Sequence, residues 1–330
     1  MAQSHDNPPS TILEAEEEDY NDSDSGFGSV TGSSTASLAS SILKHREENG
    51  RTYHAYKEER NYVLPNDELE NDRLDLQNHI FLLTLQNKLF TCPAKKFNRV
   101  LDIGTGTGIW AIDFADEHPE AEVIGVDLSP IQPLFVPSNV KFQIDDVEEE
   151  WTYSSKFDFI NVRMMTGSIS DWPKLIQQCF QHLNPGGYVE ISDIIFPITA
   201  DDGTLSKESA LARWSDLMLK ASQSLNRSLE SAKTYRGLLE GAGFTELEET
   251  EYKWPQNRWP REKRFKELGM WTLENISTGL EGLSLALFTR GLQWSKEELE
   301  VFLVDVRKDM KNTRIHSYWP IHVISARKPL

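Results

Sequence analysis

The run VLDIGTGTGIW at residues 100–110 constrains the fold more than any other part of the chain. A short apolar stretch leads straight into three glycines, Gly104, Gly106 and Gly108, and then into a helix-forming segment. Such a stretch reads as a buried strand, and glycines after it allow a tight turn whose backbone can approach a ligand. From there β-rich and helical runs alternate. Residues 99–103, 122–126, 140–144 and 157–162 read as strands. Residues 108–117, closed by Pro119, and 170–183, with Ile176, Cys179, Phe180 and Leu183 on one face, read as helices. PGG at 185–187 turns the chain into the strand YVEISDIIF. This alternation predicts an α/β fold, a mostly parallel sheet with helices on both faces and its ligand site at the carboxyl ends of the strands.

The glycine spacing narrows the ligand. A dinucleotide fold wants G-x-G-x-x-G, but position 109 is isoleucine, and no Gly-Lys-Ser/Thr follows as a P-loop would require. The pattern is instead D-x-G-x-G-x-G beginning at Asp102, which suits close backbone approach to a ligand without phosphates. S-adenosylmethionine fits that description. Its ammonium calls for an acceptor near the first turn, where Asp102 stands. Its ribose diol calls for a bidentate acceptor at the end of the second strand, where Asp127 stands in VIGVDLS. Its adenine amine calls for an acceptor after the third, where FQIDDVEEEW offers Asp145 and Asp146, with Asp146 favoured. Each acid alone could equally hold a turn or cap a helix; their order along three strand ends carries the reading.

Outside this core, residues 1–50 are rich in Ser, Gly, Asp and Glu and poor in large apolar residues, and read as a disordered acidic arm. Residues 51–97 form an N-terminal lid and helix segment. Asp67 and Glu70 make a capping pair for a helix over 68–90, and Leu76, Ile80 and Leu83 give it an apolar face. The remainder, 98–330, reads as one domain with a cofactor half at 98–200 and helical acceptor-side insertions within 205–310. A strand TELEETEYKW, a helix SKEELEVFLVDVRKDM and a last strand YWPIHVISARKP complete it. A formal charge of −18 argues against nonspecific nucleic-acid binding, despite a local basic cluster at Arg258, Arg261, Lys263, Arg264 and Lys266. Two distant cysteines, no metal-ligand spacing, no apolar run near 18 residues and no signal pattern predict a soluble protein of the cytoplasm or nucleus, with no metal and no membrane partner.

Residues 98–193 resemble the cofactor half of the class I S-adenosylmethionine-dependent methyltransferases. DLSPIQP, LPNDELENDRLD, NVRMMTGSISDW and the closing ISARKPL further resemble the fungal LaeA-like group, over about residues 48–330. The resemblance implies a Rossmann-like fold with a seven-stranded sheet and a protein tied to secondary metabolism. It also implies a velvet-type regulatory partner and a small-molecule or protein methyl acceptor. Carried over by residue, it assigns the cofactor to Asp102, Gly104, Thr105, Gly106, Gly108, Asp127, Leu128, Asp145, Asp146 and Arg163. Arg163 and Met164 then stand at the end of the fourth strand, where the transferred methyl usually lies. Tyr53, Tyr56 and Tyr62 are lid candidates, the first two also weak catalytic ones, and Trp214, Trp254, Trp259 and Trp271 are candidates for the acceptor pocket. A base could come from His54, His79, His182, His316 or His322, none of which sits in a motif. No N/D-P-P-Y motif follows the fourth strand, which disfavours methylation of nucleic-acid amines. A biosynthetic methyltransferase and a degenerate scaffold of the same fold remain the alternatives.

Overall fold

The computed structural model describes residues 45–54 and 62–330. Most of the acidic arm assigned to 1–50, and Tyr56, lie outside the described residues.

Among the described residues a seven-stranded sheet organises the chain. Its strands are β3 (Arg99–Ile103), β4 (Glu122–Asp127), β5 (Val140–Ile144), β6 (Phe157–Arg163), β7 (Leu183–Ile194), β8 (Thr245–Pro255) and β9 (Tyr318–Arg327). The order is β5-β4-β3-β6-β7-β9-β8. Pairing is parallel from β5 through β7, while β9 runs antiparallel between β7 and β8. The central strands are apolar on both faces, with Val100, Leu101, Ile103, Phe159, Ile160 and Val162 fully buried, as expected where helices cover both sides. The strand order reverses beside β3, between it and β6, so the crevice at their carboxyl ends is the natural ligand site.

Helices α2 (Ile109–Glu117) and α3 (Trp172–His182) are crossover elements, and α1 (Glu68–Thr84) precedes the sheet. The chain after β7 supplies α4 (Ala210–Ser224), α5 (Tyr235–Ala242), α6 (Lys263–Ala286) with a π turn at Leu287–Gly291, and α7 (Lys296–Lys311). Ser295 and Glu298 form a full capping box on α7. Asp67 caps α1, accepting from the Glu70 N–H at 3.2 Å, but the Glu70 side chain does not return the bond; it pairs with Arg73. The helix ends at Thr84 rather than near 90, because Gln86 and Asn87 take left-handed backbone and Asn87 N–H bonds back to the Leu82 carbonyl.

Sequence reading missed the hairpin of β1 (His45–Glu48) and β2 (Arg51–His54). Its Asn49-Gly50 turn has both residues at positive φ, the geometry a two-residue hairpin loop requires. Arg51 clamps it to Asp67 (Nη2 to Oδ1, 2.7 Å), and Arg290 reaches from the π turn to Glu48 and to the Tyr62 carbonyl. No helix among the described residues is long and apolar enough to cross a membrane.

Candidate active site

Where β3, β4 and β6 end, the chain leaves a cavity of about 210 Å³ bounded by the glycine turn, the N-terminal segment and helices α4 and α6. The turn is shaped by its glycines. Gly104 and Gly106 have φ +68° and +56°, and a Cβ on Gly104 would overlap the Met165 sulfur. N–H groups of Gly104 and Thr105 donate to the Val126 carbonyl at 2.9 and 3.0 Å, tying the turn to β4. Gly108 is also left-handed, but it does not border the cavity; it opens α2, and a Cβ there would overlap the Phe142 ring. Its expected place in the ligand site is therefore corrected: it shapes the turn from behind.

The acids assemble as their order along the chain predicts. Asp127, at the end of β4, accepts from Gly106 N–H at 2.8 Å through one oxygen and from Ser129 N–H at 2.9 Å through the other. Burial raises its carboxyl to about 6, against the lowering effect of the backbone donors of Ser129, Gly106 and Leu128. Asp102 is buried and accepts from Thr105 Oγ1 (2.6 Å) and Asn161 Nδ2 (2.7 Å); burial raises it too. Asp146 is buried and accepts from Glu148 N–H at 2.9 Å, while the more exposed Asp145 accepts from Asp146 N–H. Leu128, Asp145 and Asp146 all border the cavity.

Arg163, the last residue of β6, lies over the Phe81 ring and donates to Asn78 Oδ1 at 2.7 Å. Desolvation lowers it to about 10, with Asp102, Asp113 and Glu190 opposing that shift. Met164 follows at φ +55°, a conformation uncommon for a side chain of that size, and lines the cavity with Met165. Behind this turn, Asp193 accepts from Thr166 N–H and the Tyr235 hydroxyl, and burial raises it to about 7.

Several residues in or behind the wall escaped the sequence reading. Gln132, within DLSPIQP, donates to the Gly106 carbonyl (2.7 Å) and the Ser129 carbonyl (2.9 Å), joining the two loops that flank Asp127. Two buried ion pairs face the cavity, Glu70 with Arg73 and Glu148 with Arg227. Glu70, Arg73, Gln77 and Asn78 form a polar stripe on α1 at helical spacing, a signal visible in LPNDELENDRLDLQNH.

Beyond the turn the cavity becomes apolar, walled by Ile194, Phe196, Trp214, Met218, Leu229 and Trp319, with Ile276, Leu283 and Leu287 from α6 and its π turn. Of the four tryptophans assigned to an acceptor pocket, Trp214 alone lines it. Trp254 packs on Phe81 and donates to Thr84, Trp259 donates to the Ser317 carbonyl, and Trp271 lies against His79. Tyr62 borders the cavity, but Tyr53 does not. Its ring is buried beneath Arg46 and Arg290, which removes it as a catalytic candidate. Among the five histidines, His54 borders the cavity. His79 faces Trp271, His182 meets the Gln178 carbonyl, and His316 and His322 pair with Asp202 and Glu249.

A methyltransferase-domain family model matches residues 55–249. Methyltransferase pytC of Aspergillus terreus is 40% identical over 301 residues, covering 91% of this chain and 93% of that protein. Secondary metabolism regulator laeA of Aspergillus fumigatus is 38% identical, covering 92% of this chain and 82% of its own. Protein-methionine methyltransferase laeA of Emericella nidulans is also 38% identical, over 86% of this chain and 76% of its own. The chain thus belongs to the methyltransferase-domain family and is an enzyme that takes its methyl group from S-adenosylmethionine.

Proposed function

We propose that this methyltransferase acts on a small, largely apolar acceptor at an O, N or C atom. The observation that carries the reading is the continuity of one cavity from the glycine turn into a chamber walled by Phe196, Trp214 and Trp319. Apolar, aromatic walls of this kind are typical of small-ligand sites.

The cradle suits the donor. The Asp127 carboxylate takes backbone N–H bonds from Gly106 on one oxygen and Ser129 on the other, with Leu128 a third donor, which still leaves acceptor capacity toward a ribose diol. Asp146 and Asp145 flank the place for the adenine amine, and Leu128 the place for its ring. Gly104, Thr105 and Gly106, backed by Asp102, take the methionine end, with the Arg163 cation beside it for the carboxylate. Residues 98–200 serve as the cofactor half, and 205–310 supply the acceptor side through Trp214, Met218, Leu229, Ile276 and Leu287.

The donor's methyl carbon is already activated by its sulfonium, so the chain's task is alignment and exclusion of water. Holding two reactants in attack geometry is worth roughly 7–11 kcal/mol in favourable systems. The test is calorimetric titration with S-adenosylmethionine, then a screen of aromatic acceptors by mass spectrometry. Failure of every small acceptor in a cofactor-binding protein would end this reading.

Identity to the laeA regulators supports a second one. In it the enzyme works in the nucleus or cytoplasm with a velvet-type partner, on a protein acceptor. Affinity capture from a fungal extract tests it, and recovery of no velvet-domain protein would count against it.

A further inference from the structure

We propose that Gln77 selects the acceptor, and that the acceptor carries a cis-amide edge, a ring C=O beside a ring N–H, which pairs with the Gln77 side chain. This deepens the small-molecule reading and rests on it.

Gln77 differs from the polar groups around it in having nothing to bond to. It lies on the buried face of α1, is 6% exposed and borders the cavity. Its amide has no hydrogen-bond partner among the described residues, and neither its oxygen nor its nitrogen is sealed from the cavity. Its neighbours on α1 are engaged. Glu70 is held by both arms of Arg73 at 3.0 and 2.7 Å, and Asn78 accepts from Arg163 while bonding to Asp113. Gln77 therefore turns one carbonyl oxygen and two N–H donors toward the cavity, all uncommitted.

An unpaired polar group in a buried wall is costly, and it calls for an explanation. Folding alone does not supply one. Ile80 and Phe81, next on the same face of α1, are apolar, and an apolar side chain at 77 would continue that face without the cost. A ligand that completes the hydrogen bonds of the amide accounts for it.

Position indicates which ligand. Gln77 lies between Arg73, which reaches Asn275 Oδ1 on α6, and Asn78, which meets Arg163 at the end of β6. Helix α6 and its π turn contribute Ile276, Leu283 and Leu287 to the apolar chamber. The amide thus stands where that chamber opens toward the strand ends. The donor's polar groups have their places at the glycine turn, Asp127, Asp146 and Arg163. The chamber's two indoles are spent, Trp214 donating to Ser284 Oγ at 2.9 Å and Trp319 to Gln256 Oε1 at 2.7 Å. Recognition of a polar edge on the acceptor falls to Gln77.

An amide both donates and accepts, so it is satisfied by a group that offers both in one plane. A ketone or a carboxylate supplies acceptors alone and leaves the Gln77 carbonyl unmet. A protonated amine supplies donors alone, and brings charge beside a Glu70 carboxylate already paired with Arg73. A cis-amide meets both needs through two parallel N–H···O bonds, and it is neutral and planar, as a chamber walled by rings requires.

The test is calorimetric titration of the full chain, saturated with S-adenosylhomocysteine, with three rings of similar shape: 2-quinolone, N-methyl-2-quinolone and quinoline. 2-Quinolone should bind about 10- to 100-fold more tightly than either of the others. Gln77→Met keeps the length of the side chain and removes both hydrogen-bonding groups. It should bring the three affinities within about threefold of one another, with S-adenosylmethionine affinity also changed by no more than about threefold. Its thermal midpoint should not fall, because Gln77 makes no bond in the protein that the variant loses. A structural role predicts the opposite, a lower midpoint with the ring preference intact. Wild-type protein that binds the three rings equally, or a variant that keeps the preference, would overturn this inference and leave the small-acceptor reading standing. So would a variant that loses cofactor affinity instead, which would put Gln77 in the cofactor's site. Binding of none of the rings would overturn the inference and count against the small-acceptor reading as well.

Discussion

Lowering the pH from 7 to 5 should weaken S-adenosylmethionine binding about tenfold, through Asp127. This residue is buried at the end of β4, and desolvation raises its carboxyl to about 6 despite three backbone donors. A ribose diol donates two hydrogen bonds and needs the ionised form. For a carboxyl near 6, the ionised fraction falls from about ten-elevenths at pH 7 to about one-eleventh at pH 5, a loss of about 1.4 kcal/mol. Binding at pH 6 should therefore release about half a proton, visible as a calorimetric enthalpy that depends on the buffer's own heat of ionisation. Asp127→Asn should bind about 10- to 100-fold more weakly at pH 7, the loss of charge-assisted bonds worth roughly 1.5–3 kcal/mol, and should lose the part of the slope that Asp127 carries. Asp102, which burial also raises, and Asp193, raised to about 7 but outside the cavity, are the competing sources of a slope, and theirs would survive in the Asn variant. A wild-type affinity equal at both pH values, with the circular dichroism unchanged, would refute the assignment. The same shift has a consequence for the free protein. Because the folded pKa lies above the unfolded one, this group's stabilising contribution is complete below about pH 4 and is lost as pH rises through about 6.

Three further perturbations follow from the geometry. Arg227→Met leaves Glu148 buried without its cation and should cost about 3–5 kcal/mol in urea unfolding, while Arg227→Met with Glu148→Gln recovers part of it. Gln132→Leu removes two bonds to the carbonyls of Gly106 and Ser129 and should raise the cofactor Kd about tenfold, measured by calorimetry. Ser295→Ala breaks the capping box of α7, outside the cavity lining, and should cost about 0.5–2 kcal/mol of stability with cofactor affinity unchanged.

The central sheet, and the gathering of the glycine turn and its acids at one cavity, were legible for physical reasons. Parallel strands buried on both faces read as near-continuous apolar runs, and β3, β4, β5 and β6 begin and end within a residue of the spans read from sequence. The glycine turn and the acids at three strand ends are local features of those strands, so Asp102, Asp127 and Asp146 meet as their order implied. The apolar end of the cavity was not legible. Which tryptophan faces the cavity depends on how α4, α6 and β9 pack together, and spacing alone does not determine it. Trp319 lines the chamber although it sits in the last strand, whereas Trp254 is spent on Phe81 and Thr84. The hairpin went unread because its strands, HREE and RTYH, carry little apolar alternation. They are seated by arginines instead.

The insertion of β9 between β7 and β8 bears on how the protein is made. Ribosomal synthesis delivers β7 about 125 residues before the strand that must pair with it, and β8 about 65 before. Until residues 318–327 emerge, the facing edges of both strands have no hydrogen-bonding partner from this sheet, and unpaired edges template aggregation. The Trp319 wall of the chamber is absent over the same interval. Completion of the sheet and completion of the chamber therefore wait on the same strand, and a nascent chain held by a chaperone before that strand emerges would hold both open together.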